Sequence, residues 1–164
     1  MPFSWSARTT QTISAAAMGA LLLVSAKKHF QQPKFFTSVV PDYLCREDDG
    51  TGSVDLENKH SPTNPRNSAL AVMSREEWIA LSGLLEATAA VGLLIPATRK
   101  AAARGTALMF TAFLAGHVDA LRRAYGAGGT ASERRIHTLR LPLQLPLILW
   151  AWSLAGAKHP YETP

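Results

Sequence analysis

Cysteine is almost missing. A single one, Cys45, stands among 164 residues, which excludes a disulfide within the chain and any CxxC redox or metal chemistry. Other chemistries fall with their missing patterns. There is no HExxH or similar metal-ligand spacing, no nucleophile elbow and no phosphate-binding loop, so no metal site and no catalytic motif is expected. A b-type haem would need two deeply placed histidines on facing helices, whereas His29 and His117 both stand near the ends of apolar runs. The net charge of +5 comes from basic residues at segment ends, without an RNA or DNA motif. Anionic lipid suits that pattern better than nucleic acid. No internal repeat is visible.

Charge is also missing locally. The average, 47% hydrophobic and 18% charged, is ordinary. The distribution is not: charges nearly vanish from four windows and crowd between them, most densely in PDYLCREDDGTGSVDLENKHSPTNPRNS. A soluble helical domain would spread its charges along amphipathic faces. A window of some 20 residues reaches roughly 30 Å, the hydrocarbon thickness of a bilayer. The expectation is therefore an all-α chain forming one membrane domain over 1–164, a transmembrane four-helix bundle with a long polar loop between helices 1 and 2. The spans fall at about 9–28, 76–97, 101–122 and 138–157, and the polar loop at 45–70. The first window has a rival reading, because Arg8, a short apolar core and Val24-Ser25-Ala26 also resemble a cleaved secretory signal.

Four spans put both termini on one side with the short link Ala97-Thr-Arg-Lys100, and the loops Lys27 to Glu77 and Arg122 to His137 on the other. Arg99, Lys100 and Arg104 argue that the link is cytoplasmic; Lys27, Lys28, Arg122, Arg123, Arg134 and Arg135 argue the reverse. Within the first loop, KKHFQQPKFFTSVVPDYL is aromatic and amphipathic, fit to lie at the interface or to pack back over the helices. Arg46 to Ser68 reads as a solvated insertion. Ser74 with Glu77 forms a capping-box pattern ahead of Trp78. Close packing is supplied by small residues four apart: Ala15 and Gly19, Gly83 and Ala87, Ala112 and Gly116. Pro146 leaves the Pro142 carbonyl without its usual partner, so a kink or a polar neighbour is expected there. Arg99 and Lys100 read as anchors for lipid phosphate, and Trp150 and Trp152 as members of an aromatic belt.

The candidate site centres on Glu86, the one carboxylate inside GLLEATAAVGLLIP. Counted from the face where the two longer loops emerge, Glu86 is roughly 12 Å deep, Gln144 roughly 9 Å, His117 roughly 6 Å and Arg140 roughly 3 Å. His29 lies just past the first span on the same side. Arg140 and Gln144 are four apart and share a helical face. A lone charge at the bilayer centre costs roughly 2.5–3.5 kcal/mol on insertion scales. Glu86 is thus expected to turn inward, toward Arg140, Gln144 or His117. Two roles stand open for it: a structural acid tying helix two to helix four, or a group that meets a ligand or handles a proton. His117 divides the same way, between interfacial hydrogen-bond donor and base. Asp119 and Arg123, four apart at a helix end, read as a surface pair.

In order and spacing, several pieces of the chain resemble the DoxX-like family of small four-helix bacterial membrane proteins. They are Lys28-His-Phe30, Phe35 to Leu44, Ser82-Gly-Leu-Leu-Glu86, Gly92 to Arg99, Ala115-Gly-His117 and Leu139-Arg-Leu-Pro-Leu-Gln144 with Trp150. The resemblance covers most of the chain outside Arg46 to Ser68 and Arg122 to Ile136. It implies a multi-pass protein of the bacterial plasma membrane with both termini cytoplasmic. It also implies Glu86, His117, Arg140 and Gln144 gathered in one polar site, and a place as a membrane subunit of an oxidoreductase. A quinone would then be the ligand, and a protein partner in a redox complex would supply electrons. The chain departs from the family where a proline commonly follows Pro-Asp-Tyr-Leu: Cys45 stands there and opens the insertion. The alternative is a non-catalytic scaffold or assembly protein whose polar residues only lock the helices. A solute or proton pathway fits least, for want of a discontinuous span or inverted repeat.

Overall fold

A computed structural model describes residues 7–46 and 71–156. The solvated insertion expected at Arg46 to Ser68 lies, apart from Arg46, outside the described residues. Four long helices account for most of the rest: α1 (Ala7–Gln31), α2 (Arg75–Leu94), α3 (Arg99–Ala124) and α4 (Ala131–Gly156). Between α1 and α2 the chain makes three short 3-10 turns, Pro33–Phe35, Thr37–Val39 and Asp42–Leu44. Among the described residues there is no strand, only an isolated parallel bridge between Cys45 and Met73.

Local chemistry sets the helix ends. Ser74 caps α2: its hydroxyl accepts from Glu77 N–H at 3.2 Å while the Glu77 carboxylate accepts from Ser74 N–H at 2.7 Å, as the sequence pattern predicts. The same device opens α4, where Thr130 and Glu133 exchange the equivalent bonds at 3.2 and 2.8 Å. Thr130-Ala-Ser-Glu133 therefore starts α4 seven residues before the expected Thr138, and the loop read as Arg122 to His137 contracts to 125–130. Its tight turn depends on Gly129, where a Cβ would lie 1.9 Å from the Ala124 carbonyl oxygen. Pro142 and Pro146 both sit inside α4, and the helix runs on through them.

Successive helices pack as antiparallel neighbours, and α1 touches α4 more lightly, so the order around the molecule is 1-2-3-4, with α2 diagonal to α4. At one end the core is built largely from alanine: Ala15, Ala90, Ala103, Ala107, Ala151 and Ala155 surround Met18, Leu22, Leu93, Phe110 and Leu154. Trp150 seals the α1–α4 seam there by donating its indole N–H to Ser14 Oγ at 2.8 Å. Large apolar side chains face outward instead, among them Leu108, Leu139, Leu149 and Trp152, each at least 60% exposed. Two helices, Arg8–Gln31 and Arg75–Leu94, are long and apolar enough to cross a membrane. The other two of the four expected spans have the length, but α3 carries Arg99, Lys100 and Arg104 near its start and Arg122 and Arg123 at its end, and α4 opens on Glu133, Arg134 and Arg135.

A cavity under a clamped strap

The end of the molecule opposite Trp150 is hollow. The segment Phe36–Leu44, which follows the first 3-10 turn, folds back across the helices as a strap and closes a cavity of about 440 Å³. Its walls are mostly apolar, with Leu22, Phe110, Phe113, Leu143 and Leu147 from the helices and Phe36, Val39, Val40 and Tyr43 from the strap. Of the two positions open to the aromatic segment, the chain takes the one over the helices. Gly116 makes this approach possible, since a Cβ there would stand 2.2 Å from the Val39 carbonyl oxygen.

Two arginines hold the strap. Arg75, on α2, donates to the Thr37 and Val40 carbonyls at 2.6 and 3.1 Å and pairs with Asp42. Arg123, on α3, donates to the Ser38 carbonyl at 2.6 Å and pairs with Asp42 at 3.2 Å and Asp119 at 3.1 Å. The Asp119–Arg123 contact is thus part of a larger clamp rather than an isolated surface pair. The bonded Arg75 guanidinium, with Arg123 beside it, holds the Asp42 carboxyl below its ordinary value against the opposing effect of partial burial. Trp78 adds a bond from its indole N–H to the Leu44 carbonyl at 2.8 Å. A wider, more polar cleft of about 550 Å³, lined by Asp42, Arg75, Arg123 and His137, borders the same strap, but its arginines already have protein partners.

All five polar residues singled out in the sequence, His29, Glu86, His117, Arg140 and Gln144, line this one cavity. Their pairing differs from expectation. Glu86 is 4% exposed, and the group it meets is His29, whose Nε2 lies 3.5 Å from its Oε1. The reason is topological: α2 packs along α1 and is diagonal to α4, so Arg140 and Gln144 are across the cavity from it. The small residues settle the rest, because a Cβ on Gly83 would lie 2.8 Å from His29 Cβ. His29 Nδ1 is 3.0 Å from the Ile79 carbonyl and 2.9 Å from Ser82 Oγ, and the Ser82 hydroxyl itself donates to Ile79 at 2.8 Å. A carbonyl only accepts, so the Nδ1 proton is committed there and Nε2 alone faces Glu86. The ring also stacks on Phe36, with centroids 3.6 Å apart.

On the other wall, His117 Nδ1 lies 2.9 Å from the Phe113 carbonyl, which likewise places its proton on Nδ1. The Gln144 amide nitrogen lies over the imidazole, 3.2 Å from His117 Nε2 and 3.4 Å from Nδ1, and Nε2, which carries no proton, is the ring nitrogen able to accept from it. Arg140 stands with its guanidinium carbon 4.2 Å from the centre of the Phe35 ring, a cation–π contact. Two oxygens on residues that line the cavity, Glu86 Oε2 and Gln144 Oε1, are themselves buried without a hydrogen-bond partner. Arg99 also departs from its expected role: 8% exposed, it donates to the Leu93 carbonyl at 2.9 Å and to Thr12 Oγ1 at 3.4 Å, joining α1, α2 and α3.

A family model described as Domain of unknown function (DUF8561) matches residues 18–155. The chain belongs to this family. No curated protein and no solved structure matches it. The DUF8561 match takes in every residue that lines the cavity, together with Arg75, Asp42 and Arg123 of the clamp. In this DUF8561 chain the clamp has no local signature in the sequence, since Arg75 and Asp42 are 33 residues apart and only the strap's fold brings them together.

Proposed function

We propose that the protein is an integral membrane protein of the DoxX-like type, a four-helix bundle crossing the bacterial plasma membrane with both termini cytoplasmic. In this reading it serves as a redox-associated membrane subunit whose cavity takes a quinone or a similar small apolar molecule with a polar head. A largely apolar, 440 Å³ cavity, two of whose lining residues each keep an unpartnered buried oxygen, is the observation that carries the ligand reading. Each unpartnered acceptor costs roughly 1–3 kcal/mol, which an occupant's polar head can return. An alanine core inside an outward shell of leucine supports the membrane reading, because helices in lipid gain by close packing of small residues and not by hiding large ones. The DoxX-like type rests on the motif order, and Glu86, His29, His117, Arg140 and Gln144 are the same residues that line the cavity.

Mass spectrometry of small molecules that co-purify with gently extracted protein tests this. A quinone-class molecule is expected with the wild type and is expected to be lost on Ala112→Phe, which fills part of the cavity. Its absence from the wild type overturns the ligand reading. The second reading, a scaffold, draws support from the Ile79–His29–Glu86 contacts, which join α1 to α2 without any ligand. It gains if Glu86→Gln changes stability and leaves co-purification intact.

A further inference from the structure

The hydrogen bonds around the cavity have a polarity of their own. Most donors that line it have acceptors within the protein: Trp78 gives its indole proton to Leu44, Ser82 its hydroxyl proton to Ile79, His29 and His117 their Nδ1 protons to Ile79 and Phe113. The Gln144 nitrogen also has a partner, while its oxygen has none. An amide flip would reverse this, but the Gln144 oxygen would then face a His117 Nε2 that carries no proton, since that proton sits on Nδ1.

Glu86 reaches the same result in either protonation state. With the carboxyl protonated, the proton lies on Oε1 toward the His29 Nε2 lone pair, and Oε2 is a carbonyl oxygen. With the proton on His29, Oε2 belongs to a carboxylate. It is an acceptor both ways. The terminal torsions of Glu and Gln are soft, so either oxygen can turn toward an occupant, giving up the Glu86–His29 contact at 3.5 Å or the Gln144–His117 contact at 3.2 Å.

Resting on the proposed membrane-pocket reading, we infer that the cavity selects its occupant in a hydroxyl-bearing form. The ligand class is a phenol or hydroquinol on an apolar tail, which donates to Gln144 Oε1 and Glu86 Oε2, in preference to the carbonyl-only quinone. Arg140 keeps protons to donate, and it suits a ring oxygen that retains its lone pairs. The Ser25 and Tyr43 hydroxyls, which also line the cavity, both donate and accept, so they do not discriminate between the two forms.

The test is calorimetric titration of the intact protein in lipid nanodiscs with three probes of one tail length: decylhydroquinone kept reduced, decylbenzoquinone, and the dimethyl ether of the hydroquinone. The hydroquinone is expected to bind about tenfold tighter than the other two, the value of one satisfied buried acceptor. Gln144→Met is expected to reduce hydroquinone binding about tenfold while quinone binding stays within about twofold. The ether comparison uses unaltered protein, so a poorly folding variant does not remove the test. Equal or tighter binding of the quinone or the ether overturns this inference and leaves the pocket reading standing. Binding of none of the three overturns both.

Discussion

His29 and Glu86 meet across the α1–α2 seam at 3.5 Å, and the Ile79 carbonyl holds the His29 proton on the nitrogen that faces away from the carboxyl. The pair therefore accommodates one proton between Nε2 and Oε1. Removing His29 leaves a buried acid alone, so His29→Ala is expected to destabilise the protein by about 3 kcal/mol. Replacing both residues by leucine is expected to recover most of that loss. Glu86→Gln, whose amide can donate to Nε2, is expected to stay within about 1 kcal/mol of wild type. Thermal unfolding in one detergent measures all three; a His29→Ala melting point equal to wild type would show that the pair holds nothing together.

Glycine substitutions in a single helix are expected to move in opposite directions. At Gly105 nothing lies within 4 Å of an added Cβ, and alanine there should stabilise α3 by about 0.5–1 kcal/mol through backbone entropy. At Gly116 the added carbon meets the Val39 carbonyl at 2.2 Å, and relief requires the strap to lift. Gly116→Ala is expected to destabilise by about 1–3 kcal/mol and to open the cavity to solvent. Accessibility of a cysteine placed at Val40, in a Cys45→Ser background, separates the two effects.

Acid is expected to loosen the strap. The Asp42 carboxyl is held below its ordinary value by Arg75, so its contribution is complete above the unfolded value of about 3.9 and is lost as pH falls through the lower, folded value. The contribution is modest, because Asp42 is largely exposed and solvent screens the pair. Trp78 reports on the event through its bond to Leu44. In a variant keeping Trp78 as its only tryptophan, the emission should shift in acid, and Asp42→Asn should show the acid-like spectrum at neutral pH. A pH-independent spectrum in both would remove Asp42 from the clamp.

Much of the helical layout was legible because apolar run length and capping boxes are local signals. Ser74 and Glu77 announced α2, and Thr130 and Glu133 carried the same signal for α4, masked by the charged Arg134 and Arg135 that follow. Counting depth along each helix puts four polar residues in the same half of the helices, with His29 on the same side, and one cavity holds all five. Rotation of one helix about another has no local signal. For that reason the sequence points Glu86 toward Arg140 or Gln144 on α4 or His117 on α3, whereas it meets His29 on α1. Arg99 reads as a lipid anchor for a related reason: a basic residue at a helix start carries no local sign that the end of α2 presents a carbonyl beside it.

The short bridge between Cys45 and Met73 has a consequence for the stretch that separates them. Arg46 N–H donates to the Met73 carbonyl at 2.8 Å, so the chain leaves the strap and returns to α2 at nearly the same point. Whatever lies between begins and ends on that fixed stem, and lengthening it adds only a slowly growing closure entropy. The stem makes 47–70 a port: a tag or a docking sequence exchanged into it would leave the cavity's geometry to the strap and the helices.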